Sequence, residues 1–375
     1  MNNLTIVATC TFGLEKVLKR EVTDLGYEID KVEDGKVYFK GNKKDVMNAN
    51  LHLRTAGRVL IFITTFDAYS FDDLFDNVES YPWEDIFEKN AGFNATKISS
   101  VKSKLFSKRD IQKIVKKAIV ERLKRKYKLN KLSESGSYYE LIVNIKKDKV
   151  SIFINTSGKG LHKRGYRENA LKAPLKETLA SGIILLSGYR GDRPFSDVMC
   201  GSGTIVIEAA MKAKNIAPGL NRGFAFEKWK EYSSKDFELL KEEARAEIKP
   251  AEVRLLGNDI DYRAIKLANE NARKAGVEDA VAFQKMDMKE FRSRKKNGLM
   301  IVNPPYAERI GNEAEVIQLY KDFGKMYENL EDWKLFVLCA HPMFQKYFGE
   351  KADRNRKLFN GNMLCYLYQY YPKRK

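Results

Sequence analysis

From about Ala173 onward short apolar runs alternate with longer stretches of helical spacing. Strands separated by whole helices cannot pair as hairpins. The alternation therefore argues for a mostly parallel sheet covered by helices on both faces, a doubly wound α/β domain. Strands are predicted at Phe195–Met199, Arg254–Asp259, Val281–Gln284, Leu299–Val302 and Leu335–Cys339, with helices over 204–213, 262–275 and 315–329. After the fifth strand, Arg356–Phe359 and Met363–Tyr370 flank Asn360-Gly361-Asn362, a hairpin signal that adds an antiparallel pair at one edge.

The first 155 residues follow a different rhythm. Strands are predicted at Leu4–Thr9, Tyr27–Val32, Lys36–Phe39, Val59–Phe66, Thr96–Val101, Tyr139–Ile145 and Val150–Asn155, with a helix over Leu14–Leu25. This region reads as one or two α+β modules without a catalytic constellation. Its charge is the informative property. The chain carries 68 Lys and Arg against 50 Asp and Glu, a net +18, and Lys97 to Lys131 alone holds 14 basic and two acidic residues, a net +12. Such focusing points to a polyanionic partner. Within it, Ser107 and Asp110 resemble a capping box, and Ile111, Ile114, Val115, Ala118, Ile119 and Leu123 recur at helical spacing. The outer face of that helix carries Lys113, Lys116, Lys117, Lys124 and Arg125, with Lys104 and Arg109 at its start. These residues are expected to contact RNA phosphates, because so few acids are present that pairing along the helix cannot be their purpose.

Several classes are excluded. With 43% hydrophobic and 31% charged residues the chain is neither collagen-like nor disordered. No apolar run approaches the roughly 20 residues of a membrane helix. Glu15, Lys16, Lys19 and Arg20 interrupt the start where a signal peptide stays apolar, so a cytoplasmic location is expected. Cysteines at 10, 200, 339 and 365 and histidines at 52, 162 and 341 show no ligand spacing, which predicts buried free thiols and no metal.

Four motifs fall at successive strand ends, which the fold brings to one edge. Asp197-Val198-Met199-Cys200-Gly201-Ser202-Gly203-Thr204 turns from a strand into a helix whose first N–H groups favour an anion. Asp259, at the tip of the next strand, is placed to grip ribose hydroxyls, and Asp287, after the third, to accept from an adenine amine; either could instead cap the helix behind it. Asn303-Pro304-Pro305-Tyr306 ends the fourth. The prolines remove two donors and leave carbonyl acceptors, Asn303 offers an amide oxygen and Tyr306 a flat face, a set that suits a planar amine.

With these motifs the C-terminal half resembles a class I S-adenosylmethionine-dependent methyltransferase of the NPPY type. Asn155-Thr156-Ser157-Gly158, Leu161 to Arg167, Ala173 to Leu179, Ile216 to Arg222 and Phe226-Glu227-Lys228-Trp229 extend the resemblance to the bacterial 23S rRNA guanine-N2 methyltransferases that carry a THUMP domain. The resemblance implies a ferredoxin-like segment over 1–44, a THUMP RNA-binding domain over 45–156, a linker over 157–172 and a Rossmann-like, seven-stranded methyltransferase domain over 173–375. It implies S-adenosylmethionine as cofactor and RNA, 23S rRNA in particular, as partner. Asp197 and Cys200, Gly201, Ser202, Gly203 and Thr204 would line the methionine end of the cofactor, Asp259 the ribose and Asp287 the adenine. Asn303, Pro304, Pro305 and Tyr306 would hold the target base. Val198 stands where the family has proline, a change that bears on loop rigidity.

Arg164 and Arg167 lie in the connection between the halves, where they either clamp RNA phosphate or pack the interface. The long insertion from Asn215 to Pro250 is expected to wall the pocket. The diproline loop alone is equally suited to adenine N6 in DNA, a protein glutamine amide or a tRNA guanine. A catalytically silent RNA-binding protein is the reading from a different class. The basic N-terminal half favours RNA.

Overall fold

The computed structural model describes residues 3–167, 175–305 and 312–372. Two seven-stranded sheets organise it. The N-terminal half runs β1 (Leu4–Thr9), α1 (Glu15–Asp24), β2 (Ile29–Glu33), β3 (Lys36–Gly41), α2 (Lys43–His52), β4 (Arg58–Asp67), α3 (Phe71–Ser80), β5 (Gly92–Val101), α4 (Lys108–Tyr127), β6 (Tyr138–Lys146) and β7 (Lys149–Asn155). Its strands form one continuous sheet in the order β2-β3-β1-β4-β7-β6-β5, antiparallel except for the β5/β6 pair. The β6–β7 turn places Lys147 and Asp148 both at positive φ, as a two-residue I′ turn requires. α4 buries Ile111, Val115, Ala118, Ile119 and Leu123, the stripe its spacing predicts, and starts at Ser107, whose hydroxyl accepts from the Asp110 N–H.

The C-terminal half follows as α5 (Glu177–Leu186), β8 (Phe195–Asp197), α6 (Thr204–Ala213), α7 (Ser234–Ala246), β9 (Leu255–Asp259), α8 (Tyr262–Ala275), β10 (Val281–Lys285), β11 (Gly298–Val302), α9 (Glu313–Glu328), β12 (Trp333–Cys339), α10 (Phe344–Phe348), β13 (Arg354–Asn360) and β14 (Met363–Tyr370). The sheet order is β10-β9-β8-β11-β12-β14-β13. The first five of these strands are parallel, and β14 enters antiparallel between β12 and β13, which puts the hairpin at one edge. Strand order reverses direction at β8, between β9 and β11, so a crevice opens beyond the carboxyl ends there.

The insertion from Asn215 to Pro250 packs on the N-terminal half: its Phe224, Phe226, Trp229, Tyr232 and Phe237 enter that half's core, where burial removes their large apolar area from water. Backbone and side-chain bonds fix the docking: the Gly219 N–H donates to the Leu51 carbonyl at 2.9 Å, Phe226 N–H to Thr156 at 3.1 Å and the Trp229 indole to Tyr138 at 2.9 Å. The insertion is a clamp between the two halves.

Candidate active site

Register brings the four motifs to one edge. Ser196 pairs with Met300 and Leu256, and Lys285 with Asp259, all in parallel strands. Asn303 therefore leaves β11 beside the residues that leave β8, on strands about 4.8 Å apart. The glycine turn and the diproline loop are neighbours across that gap.

The turn after β8 is built by backbone chemistry. The Cys200 N–H donates to the Asn258 carbonyl at 2.8 Å, the Gly201 N–H to the Asp259 carboxylate at 2.8 Å, and the Gly203 N–H to the Cys200 carbonyl at 2.9 Å. Gly203 sits at φ +81 as the cap of α6, and a Cβ there would meet the Phe283 ring at 2.8 Å, so only glycine fits. A Cβ at Gly201 would meet nothing within 4 Å: space lies open before the turn. Asn271 on α8 donates to the Ser202 carbonyl at 3.0 Å, and Thr204 accepts from Arg167 at 2.9 Å.

Three carboxylates face this edge. Asp197 is almost fully buried, and its Oδ1 accepts from the Met199 N–H at 3.1 Å. Burial, with Asp259 nearby, pushes its carboxyl well above the usual carboxylate range, a penalty that a ligand ammonium would relieve. Asp259 accepts from the Gly201 and Asp261 N–H groups, which anchors it across the turn. Asp287 caps the short 3-10 turn Met288–Glu290 by accepting from the Lys289 N–H at 3.0 Å.

Asn303 and Pro305 are half-buried and Pro304 is buried. Tyr306 lies outside the described residues. A residue without any motif holds the loop: the Tyr320 hydroxyl on α9 donates to the Pro305 carbonyl at 3.0 Å, while its ring packs edge-on against Phe344 and His341. Sequence reading missed Tyr320 because it lies fifteen positions beyond Pro305, on a helix that reads as ordinary core.

Two expected RNA contacts are interior. Arg164 is 2% exposed; it donates to the carbonyls of Leu161 and Arg54 and pairs with the buried Glu208 of α6 at 3.5 Å. Arg167 pairs with Glu177 at 2.8 Å and donates to Leu175 as well as Thr204. Arg164 ties the two halves, with the Arg54 carbonyl on one side and Glu208 of α6 on the other, whereas the partners of Arg167 all lie in the C-terminal half, where it fastens the start of α5 to that of α6. Interface packing, the other sequence alternative, is what the structure shows for Arg164. On α4, Lys116 pairs with Glu134, Lys124 with Glu121 and Arg125 with Glu79, while Arg109, Lys113 and Lys117 are exposed. Lys104 is exposed too and lies over the Tyr69 ring at 5.0 Å. Among the described residues no group of three or more His, Cys, Asp or Glu is arranged to hold a metal, and no helix is long and apolar enough to cross a membrane.

The family described as "RMKL-like, methyltransferase domain" matches residues 164–369, more than half of the chain. The chain belongs to that family. In this RMKL-like methyltransferase, residues 5–60 match the RlmL ferredoxin-like domain and residues 68–155 the THUMP domain. The protein named "Putative RNA methyltransferase YpsC" of Bacillus subtilis (strain 168) is 42% identical over all of this chain and 97% of its own length. "Ribosomal RNA large subunit methyltransferase K/L" of Psychromonas ingrahamii is 34% identical over 96% of the chain, which spans half of that longer relative. The crystal structure of SMU.472 in complex with SAH superposes at a TM-score of 0.94, with 39% identity and full coverage of both chains. S-adenosylmethionine is the cofactor of this fold and family, and the crevice suits it: a buried carboxylate for an ammonium, a helix N-terminus for a carboxylate and open space before Gly201.

Proposed function

We propose that the protein methylates the exocyclic N2 amine of a guanine in RNA, with 23S rRNA as the substrate. The observation that carries the reading is the β8/β11 register, which sets the Asp197–Thr204 turn directly beside Asn303-Pro304-Pro305. Bound S-adenosylmethionine supplies a methyl group made electrophilic by its sulfonium. On the chain's side, Asp197 takes the cofactor's ammonium, the turn from Cys200 to Thr204 its carboxylate, Asp259 the ribose hydroxyls and Asp287 the adenine amine. The Asn303 amide oxygen and the Pro304 carbonyl accept from the guanine NH2 and turn its lone pair toward the methyl group. The alkylated nitrogen then sheds its one proton to water, guided by the hydrogen bond to the Pro304 carbonyl, and the former sulfonium leaves as a neutral thioether, so no strong base is needed. Tyr306 is assigned stacking on the target base from its place in the motif alone.

A guanine in a duplex hides N2 from an enzyme pocket, so the target nucleotide is unpaired or extruded. The large-subunit RNA named for the Psychromonas relative and the basic α4 of the THUMP region support this substrate over DNA or a protein amide. The test is direct. The protein is incubated with methyl-labelled cofactor and, separately, 23S rRNA, tRNA, DNA or protein extract, and labelled RNA is digested to nucleosides. Label in N2-methylguanosine from 23S rRNA is expected. Label confined to tRNA moves the substrate, label in N6-methyladenine or glutamine overturns the base assignment, and cofactor binding without any transfer makes the protein a silent binder.

A further inference from the structure

The cations of α4 are not equivalent. Toward its carboxyl end Arg122, Arg125 and Lys126 are held by Glu79 and Glu84, and Lys116 and Lys124 have acidic partners as well. Around its amino end Lys102, Lys104, Lys108, Arg109 and Lys113 are exposed and carry no ion pair among the described residues. The densest run of cations without an ion pair among the described residues, Lys102 to Lys113, therefore spans the loop preceding the helix and its first turns, with Lys117, Lys128 and Lys131 unpaired further along.

That loop is built, not slack. The Lys104 N–H donates to the Asp148 carboxylate at 2.6 Å, the Asp148 N–H to Ser103 at 3.0 Å and the Lys147 N–H to the Val101 carbonyl at 3.1 Å. The Ala68 N–H donates to the Asp148 carbonyl at 2.9 Å, which ties the Tyr69 loop to the same turn. Three loops are thus fastened at Asp148. Two aromatic rings stand out of the junction: Phe106 is 79% exposed and Tyr69 is 56% exposed, with Val101 also exposed. Phe106 precedes the N-cap Ser107, where an apolar residue ordinarily staples onto the fourth helical position, here Ile111. Ile111 is fully buried and Phe106 is not, so stapling does not explain the phenylalanine. An aromatic ring left in water beside unpaired cations matches what single-stranded nucleic acid requires, a flat face for a base and positive charge for its backbone.

We propose that Phe106 and Tyr69, ringed by Lys102, Lys104, Lys108 and Arg109, form a stacking platform for unpaired nucleotides of the RNA substrate. This rests on the RNA reading above and adds what the basic helix alone does not imply: a preference for a single-stranded segment. Lys104 over one side of the Tyr69 ring both orients the ring and meets phosphate.

The full chain is titrated with two fluorescent RNAs of equal phosphate number, a blunt duplex and a duplex with a single-stranded overhang. Phe106→Ala should weaken overhang binding by about 5- to 100-fold, leave blunt-duplex binding within twofold, and leave cofactor binding intact. Tyr69→Ala should act likewise, and Phe106→Trp should restore the overhang preference. Wild-type protein that binds both RNAs equally, with Phe106→Ala unchanged, overturns the platform and leaves the RNA reading standing; that outcome would also be seen if a protein partner covered Phe106. Wild-type protein that binds neither RNA overturns both.

Discussion

Replacing Arg164 with Met separates a structural guanidinium from an RNA-binding one. The wild-type group donates to two backbone carbonyls, Leu161 at 2.9 Å and Arg54 at 2.5 Å, and lies 3.5 Å from Glu208, whose carboxylate also accepts from Tyr166 at 3.0 Å and from Ser181. Met fills much of the space but leaves both carbonyls and the Glu208 charge without this donor. Losing two hydrogen bonds from a charged donor costs about 1.5–3 kcal/mol each, and breaking a buried ion pair about 3–5 kcal/mol. Because these describe the same interactions, the expected loss is about 3–5 kcal/mol. Urea unfolding followed by tryptophan fluorescence, extrapolated linearly, measures it. RNA affinity of the folded variant should equal that of wild type. A variant of wild-type stability with weakened RNA binding would refute the reasoning and return Arg164 to the phosphate backbone.

Four further outcomes are expected. Asn303→Ala should lower kcat by about 10²-fold with cofactor affinity unchanged in calorimetry; equal turnover would remove Asn303 from the reaction. Tyr320→Phe keeps the ring against Phe344 but drops the bond to the Pro305 carbonyl, so kcat should fall roughly tenfold for a stability loss of only about 1 kcal/mol; proportionate losses in stability and rate would make Tyr320 merely structural. Glu177 has its carboxyl raised from 4.5 to about 7 because burial outweighs the pull of Arg167. Between those values the folded state keeps a proton that the unfolded chain has released, so stability should fall by up to about 3 kcal/mol as pH rises from 4.5 to 7; urea midpoints of Glu177→Gln should lack that slope. Reversing Arg109, Lys113 and Lys117 to Glu should reduce the slope of log RNA affinity against log salt by about 0.9 for each phosphate no longer neutralised, and an unchanged slope would move the RNA surface away from α4.

The parts of the fold legible in the sequence are those whose signals are local. The helices over 204–213 and 262–275 are found at their observed ends because a glycine turn or Asp261 starts them and apolar periodicity sustains them. The Asn360-Gly361-Asn362 hairpin pairs Asn360 with Met363 for the same reason. Where boundaries shift, the cause is a partner far along the chain or a side chain that intercepts the ladder. β8 stops at Asp197, not Met199, because the Met199 N–H is taken by the Asp197 side chain and cannot join a ladder. β5 starts at Gly92, not Thr96, because its first residues pair with Tyr138 and Tyr139 across the whole of α4. α2 carries a capping box at Asn42 and Asp45, yet a weak apolar stripe; its buried residues are shared among β3, β4 and α7 of the insertion, partners that no local signal reveals. The same distinction governs the site. Glycines, aspartates and a diproline at strand ends can be read one by one, since the fold class alone brings such ends together. A positive charge cannot be read that way: Arg164 and Lys113 look alike in the sequence, and buried acceptors far along the chain, the Arg54 carbonyl and Glu208, make one a rivet between the halves while the other stays in water. Composition therefore points to an RNA-facing side only after the cations with buried acceptors have been subtracted. What remains concentrates at the amino end of α4, where Phe106 stands exposed.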